Sequence, residues 1–274
     1  MRLSQAIRVF RALLLVGVSL LMACSGDDIA WTDPMTLPAG DANSRLHVDA
    51  RGRARLLADT SVSVVPRADR SACAGSVRVA RLDDGSLVAV WWSVRSDSSA
   101  NLLAAVSPDA GTNWRPAIRI DTADVSVVGC SRPPAAIAAS SGFVHVAYSM
   151  RASEGAGVFY AHSMNNGQTF EAPLTIVYGD RLSSTAVAAD KGTTVVAYED
   201  PSGATPQIGL AISRDWGHIF QQRIRGSTGL GAATDPDVAV AGREVAVTWL
   251  VSPTGEAANS DARASRIVRV GRLP

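Results

Sequence analysis

Three eight-residue stretches constrain this chain more than any other feature: SPDAGTNW at 107–114, SMNNGQTF at 163–170 and SRDWGHIF at 213–220. Each sets a Ser, then an Asp or Asn two residues on, a Gly two further and an aromatic ring three beyond that. Their starts lie 56 and 50 residues apart. A repeat of about fifty residues with this punctuation points to an array of small sheets rather than one continuous sheet.

The flanks repeat with the boxes. Each box follows a strand-like run: NLLAAVS (101–107), GVFYAHS (157–163) and QIGLAIS (207–213). Upstream lie GSLVAVWW (85–92), GFVHVAY (142–148) and GTTVVAY (192–198), each opening on a Gly. Before these come SVRVA (76–80), PAAIA (134–138) and STAVA (184–188); after each box comes RPAIRI (115–120), EAPLTI (171–176) or QQRIR (221–225). Each unit therefore reads as four strands, a-b-c-d, with the box at the c–d turn, which is the blade of a β-propeller.

A further unit has only three strands. DPDVAVAGREVAVTW (235–249) supplies a and b, and ASRIVRVGR (264–272) supplies c. WTDPMTL (31–37) reads like the missing aromatic start and d strand, so the N-terminal strand is expected to close the ring. RLHVDARGRARLLADTSVSVV (45–65) then makes a reduced first blade with no box. The expected fold is all-β: one propeller domain over 31–274, with five blades on this count and four or six as the alternatives.

The box residues follow from what a tight turn needs. Gly111, Gly167 and Gly217 allow a positive φ where the chain reverses. Ser107, Ser163 and Ser213, with Asp109, Asn165 and Asp215, can bond the turn backbone through their side chains. Trp114, Phe170 and Phe220 are expected to bury a ring between neighbouring strands.

These stretches resemble the Asp-box of the sialidase and BNR-repeat families, S-x-D-x-G-x-[TS]-[WF]. Asn165 departs from it in the second copy, as do Asn113 and Ile219 in the first and third. The resemblance implies a sialidase-like propeller with its boxes on one face and its ligand on the other, among the d–a and b–c loops. It does not fix chemistry, because one fold hosts many functions. On this layout the d–a loops bring Cys73, Cys130, Arg132, Tyr178, Asp180, Arg181, Asp235 and Asp237 to the mouth. The b–c loops bring 94–100, 151–156, 201–206 and 252–261.

Sialidase chemistry asks for arginines around a substrate carboxylate, an acid, and a Tyr nucleophile activated by a Glu. Arg132 and Arg181, Tyr178, Asp180 and Glu199 are the residues that could serve. Their spacing does not demand it. The family's opening arginine stands in an R-I-P motif before the first box, whereas the nearest string here, SRPP (131–134), follows it.

Cys73 and Cys130 hold near-equivalent places in adjacent units. Outside the cytoplasm they are expected to form a disulfide, worth about 4 kcal/mol on the loop-entropy account. A metal or redox site through the same thiols is the rival, with no C-x-x-C and no His in the d–a loops to support it. His145 and His162 read as packed strand residues. No cofactor and no metal is expected.

The N-terminus points to an envelope location. Arg2, Arg8 and Arg11 flank the apolar run ALLLVGVSLLMA (12–23), a signal-peptide pattern. It ends Leu21-Met22-Ala23-Cys24, which resembles the lipobox of bacterial lipoproteins and implies cleavage over 1–23, lipid on Cys24 and a tether over 24–30. Ser25 resembles outer-membrane sorting where a cell has two membranes. Loss of 1–23 leaves 23 basic and 25 acidic residues, a net charge of −2, with no electrostatic footprint for nucleic acid. The function expected from all this is a monomeric, envelope-anchored binding or scaffold module for a glycan or an envelope protein. The alternatives are a sialidase-like glycoside hydrolase and metal or redox handling through Cys73 and Cys130.

Overall fold

The computed structural model describes residues 29–37, 44–58, 69–229, 231–251 and 265–274. The signal segment, Cys24 and the 252–261 loop expected at the mouth lie outside these.

Three four-stranded antiparallel sheets follow the a-b-c-d order. The first joins β5 (Arg78–Arg81), β6 (Leu87–Val94), β7 (Ala100–Ser107) and β8 (Ile118–Asp121). The second joins β9 (Ala136–Ser140), β10 (Phe143–Ala152), β11 (Gly155–Ser163) and β12 (Leu174–Gly179). The third joins β13 (Thr185–Asp190), β14 (Thr193–Glu199), β15 (Ile208–Ser213) and β16 (Gln222–Arg225). The middle strands are buried along nearly their whole length, because neighbouring blades cover both of their faces. LVAVWW in β6 is therefore a continuous apolar run instead of an alternating one.

The fourth sheet is the composite one. β17 (Ala233–Ala241), β18 (Glu244–Val251) and β19 (Ser265–Arg272) form its a, b and c strands. Both β1 (Ala30–Trp31) and β2 (Met35–Leu37) pair antiparallel to β19, Ala30 opposite Arg272 and Leu37 opposite Arg266. The N-terminus thus supplies the d strand, as expected, in two pieces. The strand opens at Ala30, and Ile29 is already buried in the core cluster that includes Leu273 and Ile212, so the last two residues assigned to the tether belong to the domain. β3 (Ser44–Val48) and β4 (Ala54–Ala58) form the reduced blade, a hairpin whose Leu46 and Val48 pack on Ala246, Val268 and Val270 of the composite sheet.

The sheets are arranged radially. Each a strand touches the a strand of the next sheet: β5 meets β9, β9 meets β13, β13 meets β17 and β17 meets β3. That succession of inner strands is the arrangement of a β-propeller, with five sheets among the described residues.

Each box makes the turn as its residues require. Ser107 Oγ accepts from Gly111 N–H at 2.8 Å, and Asp109 Oδ1 accepts from Asn113 N–H at 2.7 Å. In the second box Ser163 Oγ accepts from Gly167 N–H and Asn165 Oδ1 from Thr169 N–H, both at 2.9 Å. The amide at 165 therefore does the work of the carboxylate. In the third, Ser213 Oγ accepts from Gly217 N–H at 3.1 Å. The rings differ from expectation in one respect. Phe220 sits edge-on to Tyr160, 4.8 Å between centroids, and Phe170 packs into the core shared by the first two sheets. These two rings staple a blade to its predecessor, while Trp114 stays against Ala89, Trp91 and Ala105 of its own sheet.

Candidate functional site

The boxes define one face, and the b–c and d–a connections define the other, the mouth. The mouth is built most firmly around the connection from β8 to β9. Asp124 and Arg132 lie at the two ends of this connection and meet inside it, Nη1 donating to Oδ2 at 2.7 Å. Arg132 also donates from Nε to Gly129 O at 2.7 Å and stacks on Trp92, 5.1 Å from the ring centre. Asp124 Oδ2 accepts from Ala100 N–H at 2.9 Å, and Oδ1 accepts from Ser126 Oγ at 2.6 Å. Arg95, from the adjacent b–c loop, donates to Ser99 Oγ, to Thr122 O and to Asp124 O. Cys73 and Cys130 form a disulfide across the same place, their Cα atoms 5.4 Å apart. Paired sulfurs offer no thiolate to a metal, so the metal reading of these cysteines falls. Among the described residues no group of three His, Cys, Asp or Glu is placed to hold a metal ion.

This bracing turns a stretch of the connection inside out. Asp124 and Ser126 point inward and are buried, while Val125, Val127 and Val128 are 51%, 75% and 39% exposed. Alternation of this kind in a strand normally buries the apolar residues. Here the inward positions are taken by the carboxylate and hydroxyl that hold the guanidinium. A charged pair removed from water must be hydrogen-bonded on every side, and the surrounding carbonyls and amides supply those bonds.

The remaining predicted site residues are dispersed. Arg132 is not on the ligand surface, since its side chain is fully buried and spent on Asp124. Arg181 donates to Gly203 O at 2.7 Å and Asp200 O at 2.8 Å, which ties a b–c loop to a d–a loop. Tyr178 lies in the outer strand β12 and not in a loop; it is half exposed, edge-on to Phe159. Asp180 is exposed, its carbonyl accepting from Arg151. Glu199 Oε1 accepts from Asp235 N–H at 2.9 Å. Asp235 and Asp237 stand in β17, around a bulge, instead of in a loop. Asp235 pairs with Arg266. Asp237 Oδ2 accepts from Leu46 N–H at 2.7 Å, holding the reduced blade to the composite sheet, and burial raises its carboxyl above the usual range against the pull of that bond.

Three of the four histidines, His145, His162 and His218, form a cluster of their own on the box side. His145 and His162 are cross-strand partners in β10 and β11 and share a face with Phe143 and Tyr160. Against that face lie Trp216 and His218 of the third box, Phe143 to Trp216 at 4.7 Å and His162 to His218 at 4.7 Å between centroids. His145 Nδ1 is 2.6 Å from Tyr160 Oη, while Nε2 of both His145 and His162 is buried without a partner. Burial, with the two neighbouring histidines, lowers His145 to about 3; burial and His218 also lower His162. Both are therefore neutral, packed residues, as their places in strands suggest.

Sequence reasoning placed Arg95 at the mouth only as part of the 94–100 loop, and it missed Asp124 and the three valines. The available signal was DVSV itself, an alternating run too short for a blade strand and placed directly after one.

No family model matches the sequence, and no curated protein matches it either. Solved structures do resemble the fold. A protein of unknown function from Dyadobacter fermentans superposes with a TM-score of 0.51 at 14% identity, over 89% of this chain and 61% of that one. A Hadza microbial sialidase gives 0.46 at 17%, over 64% and 41%, and Trypanosoma rangeli sialidase in complex with 2,3-difluorosialic acid gives 0.49 at 13%, over 82% and 40%. The chain thus spans between two fifths and three fifths of the length of these structures, and at such identities the likeness concerns the fold alone.

Proposed function

We propose that this chain is an envelope lipoprotein, held to its membrane by lipid on Cys24, whose propeller is a binding or scaffold module with a protein ligand at the mouth. The observation that carries the reading is the rigid, inverted loop at 124–128. It shows three valines to solvent, and beneath them a buried ion pair and a disulfide hold the backbone in place. A preordered apolar epitope loses little entropy on binding, which favours capture of a partner surface. A glycan ligand, by contrast, draws on polar groups and aromatic faces, and of the candidates for those roles Arg132, Arg181, Asp235 and Asp237 are already engaged within the domain. The same engagement counts against a glycosidase. Its carboxylate-binding arginine would be Arg132, which is paired inside the protein, and its nucleophile would be Tyr178, which is on an outer strand.

The test joins two measurements on the full acylated protein. A photocrosslinking residue at Val127 in native envelopes is expected to give a discrete adduct that Val125→Ser combined with Val128→Ser abolishes. A fluorogenic sialoside and a panel of other glycosides are expected to show no turnover. Sialoside hydrolysis lost in Glu199→Gln would overturn the proposal in favour of the enzyme. Arg132→Ala is unsuitable as the diagnostic variant, because it would collapse the loop whatever the function.

A further inference from the structure

The point at which the chain enters the propeller fixes which way the domain faces. We infer that the box face lies against the membrane and that the mouth points away from it, an inference that rests on the lipid anchor at Cys24 proposed above. β19 runs from the mouth, at Ser265, to the box face, where Leu273 N–H donates to Arg243 O in the turn between β17 and β18. Ala30 pairs with Arg272 at that same end. Ile29, the first described residue, is buried in the same core cluster as Leu273 and Ile212, and Pro274 O accepts from Arg214 of the third box. The composite sheet thus has the incoming N-terminus and the outgoing C-terminus at the place where the other sheets have a box.

Chain length then limits the distance to the bilayer. Ser25 to Asp28 are the only residues between Cys24 and buried Ile29. Five Cα steps span at most about 18 Å even when fully extended. A tether of that reach cannot pass around the domain to present the mouth to the lipid. The box face also carries exposed apolar side chains at its tips, Met164 at 50% and Ile219 at 60%, in the second and third boxes. On a face held near headgroups such side chains gain contact with the interfacial region. The occupant of this face is therefore the surface of the membrane that holds the anchor, and the valine-bearing loop is left open to a soluble or opposing partner.

The experiment uses full-length acylated protein in phosphatidylethanolamine–phosphatidylglycerol vesicles doped with a headgroup-nitroxide lipid. One variant carries a fluorophore at Ile219→Cys, another at Val127→Cys; the native Cys73–Cys130 disulfide leaves neither of those sulfurs to react. Quenching several-fold stronger at 219 than at 127 is expected. A flexible Gly-Ser insertion of about twenty residues after Asp28 should remove the difference while the protein stays bound, because such a linker reaches past the domain. Equal quenching at the two sites in acylated protein without the insertion, or stronger quenching at 127, overturns the orientation and leaves the anchor standing. If Cys24 carries no acyl mass and neither label is quenched, the anchor and the orientation fall together.

Discussion

Arg132 and Asp124 meet with Nη1 and Oδ2 2.7 Å apart, and neither side chain is more than 1% exposed. Breaking such a pair from one side leaves a bare charge in the interior. Arg132→Ala is therefore expected to cost about 3–5 kcal/mol, and Asp124→Ala about the same. Changing both to Ala should cost clearly less than the sum of the two, because neither charge is then left alone. Urea unfolding midpoints of the three variants check this. Additive losses would mean that the two residues act independently, and the account of the braced loop would fail.

His145 gives the fold an acid limit. Its folded-state value, about 3, lies below the ordinary value of 6.5, so the unfolded chain binds the proton more readily. The stability this neutral histidine contributes is complete above about pH 6.5 and is lost as pH falls toward 3, at up to about 1.4 kcal/mol per pH unit. His162 acts in the same direction. Carboxyls held low by hydrogen bonds, such as Asp109 through the Asn113 N–H, lose their contribution only at lower pH. In the window between about pH 6.5 and 4.5 the histidines therefore lower stability as pH falls, and Asp237, whose carboxyl burial raises, opposes them because its folded form takes up the proton more readily. Denaturation midpoints across that window should fall with pH in the native chain and flatten in His145→Gln. An unchanged slope in the variant would remove His145 from this role.

Gly217 and Gly85 separate backbone strain from lack of space. Their φ values are nearly equal, 87° and 84°. A Cβ at Gly217 would stand 1.8 Å from Tyr160 Oη, whereas one at Gly85 would meet nothing within 4 Å. Gly85→Ala should cost only the left-handed penalty, about 1–2 kcal/mol. Gly217→Ala must also displace Tyr160 from the aromatic seam between two blades, and should lower the thermal midpoint by at least twice as much. Equal shifts would show that the seam yields without cost.

The repeats were readable because each blade obeys the same local rules. A Gly-opened apolar run, a second run and a Ser-Asp-Gly turn recur at a fixed spacing, and the missing fourth strand showed as a deficit at one end and a surplus at the other. The site was less readable, for physical reasons. Arg132 reads as a ligand-binding arginine until its partner Asp124 is seen, and nothing eight residues upstream marks that carboxylate as buried. DVSV reads as apolar-in until the inward positions prove to hold an ion pair. Tyr178 reads as a loop residue because the chain after its box ring first bonds back to the c strand, Glu171 N–H to His162 O, as Arg115 N–H does to Val106 O after the first box, before the d strand begins. The histidine seam combines residues from two repeats, and sequence spacing carries no record of which blades touch.

Closure by the N-terminal strand makes the strictest demand on the fold. Trp31 lies opposite Gly271, packs with the core shared by the third and composite sheets, and has Arg269 stacked over its ring at 4.8 Å. Trp31 is half-buried, and its truncation to Ala should cost about 2 kcal/mol, below the range for fully buried tryptophans. Removing residues through Leu37 should do more, because it leaves β19 with an open edge and exposes the Ile212–Leu273 core. That shortened chain is expected to aggregate or unfold at a much lower temperature. A synthetic peptide covering 29–37, added in trans, should restore the midpoint by strand addition at the vacant edge. A deletion that leaves the midpoint unchanged, or a peptide that fails to bind a folded shortened chain, would mean that the pairing with β19 is not what holds the ring closed.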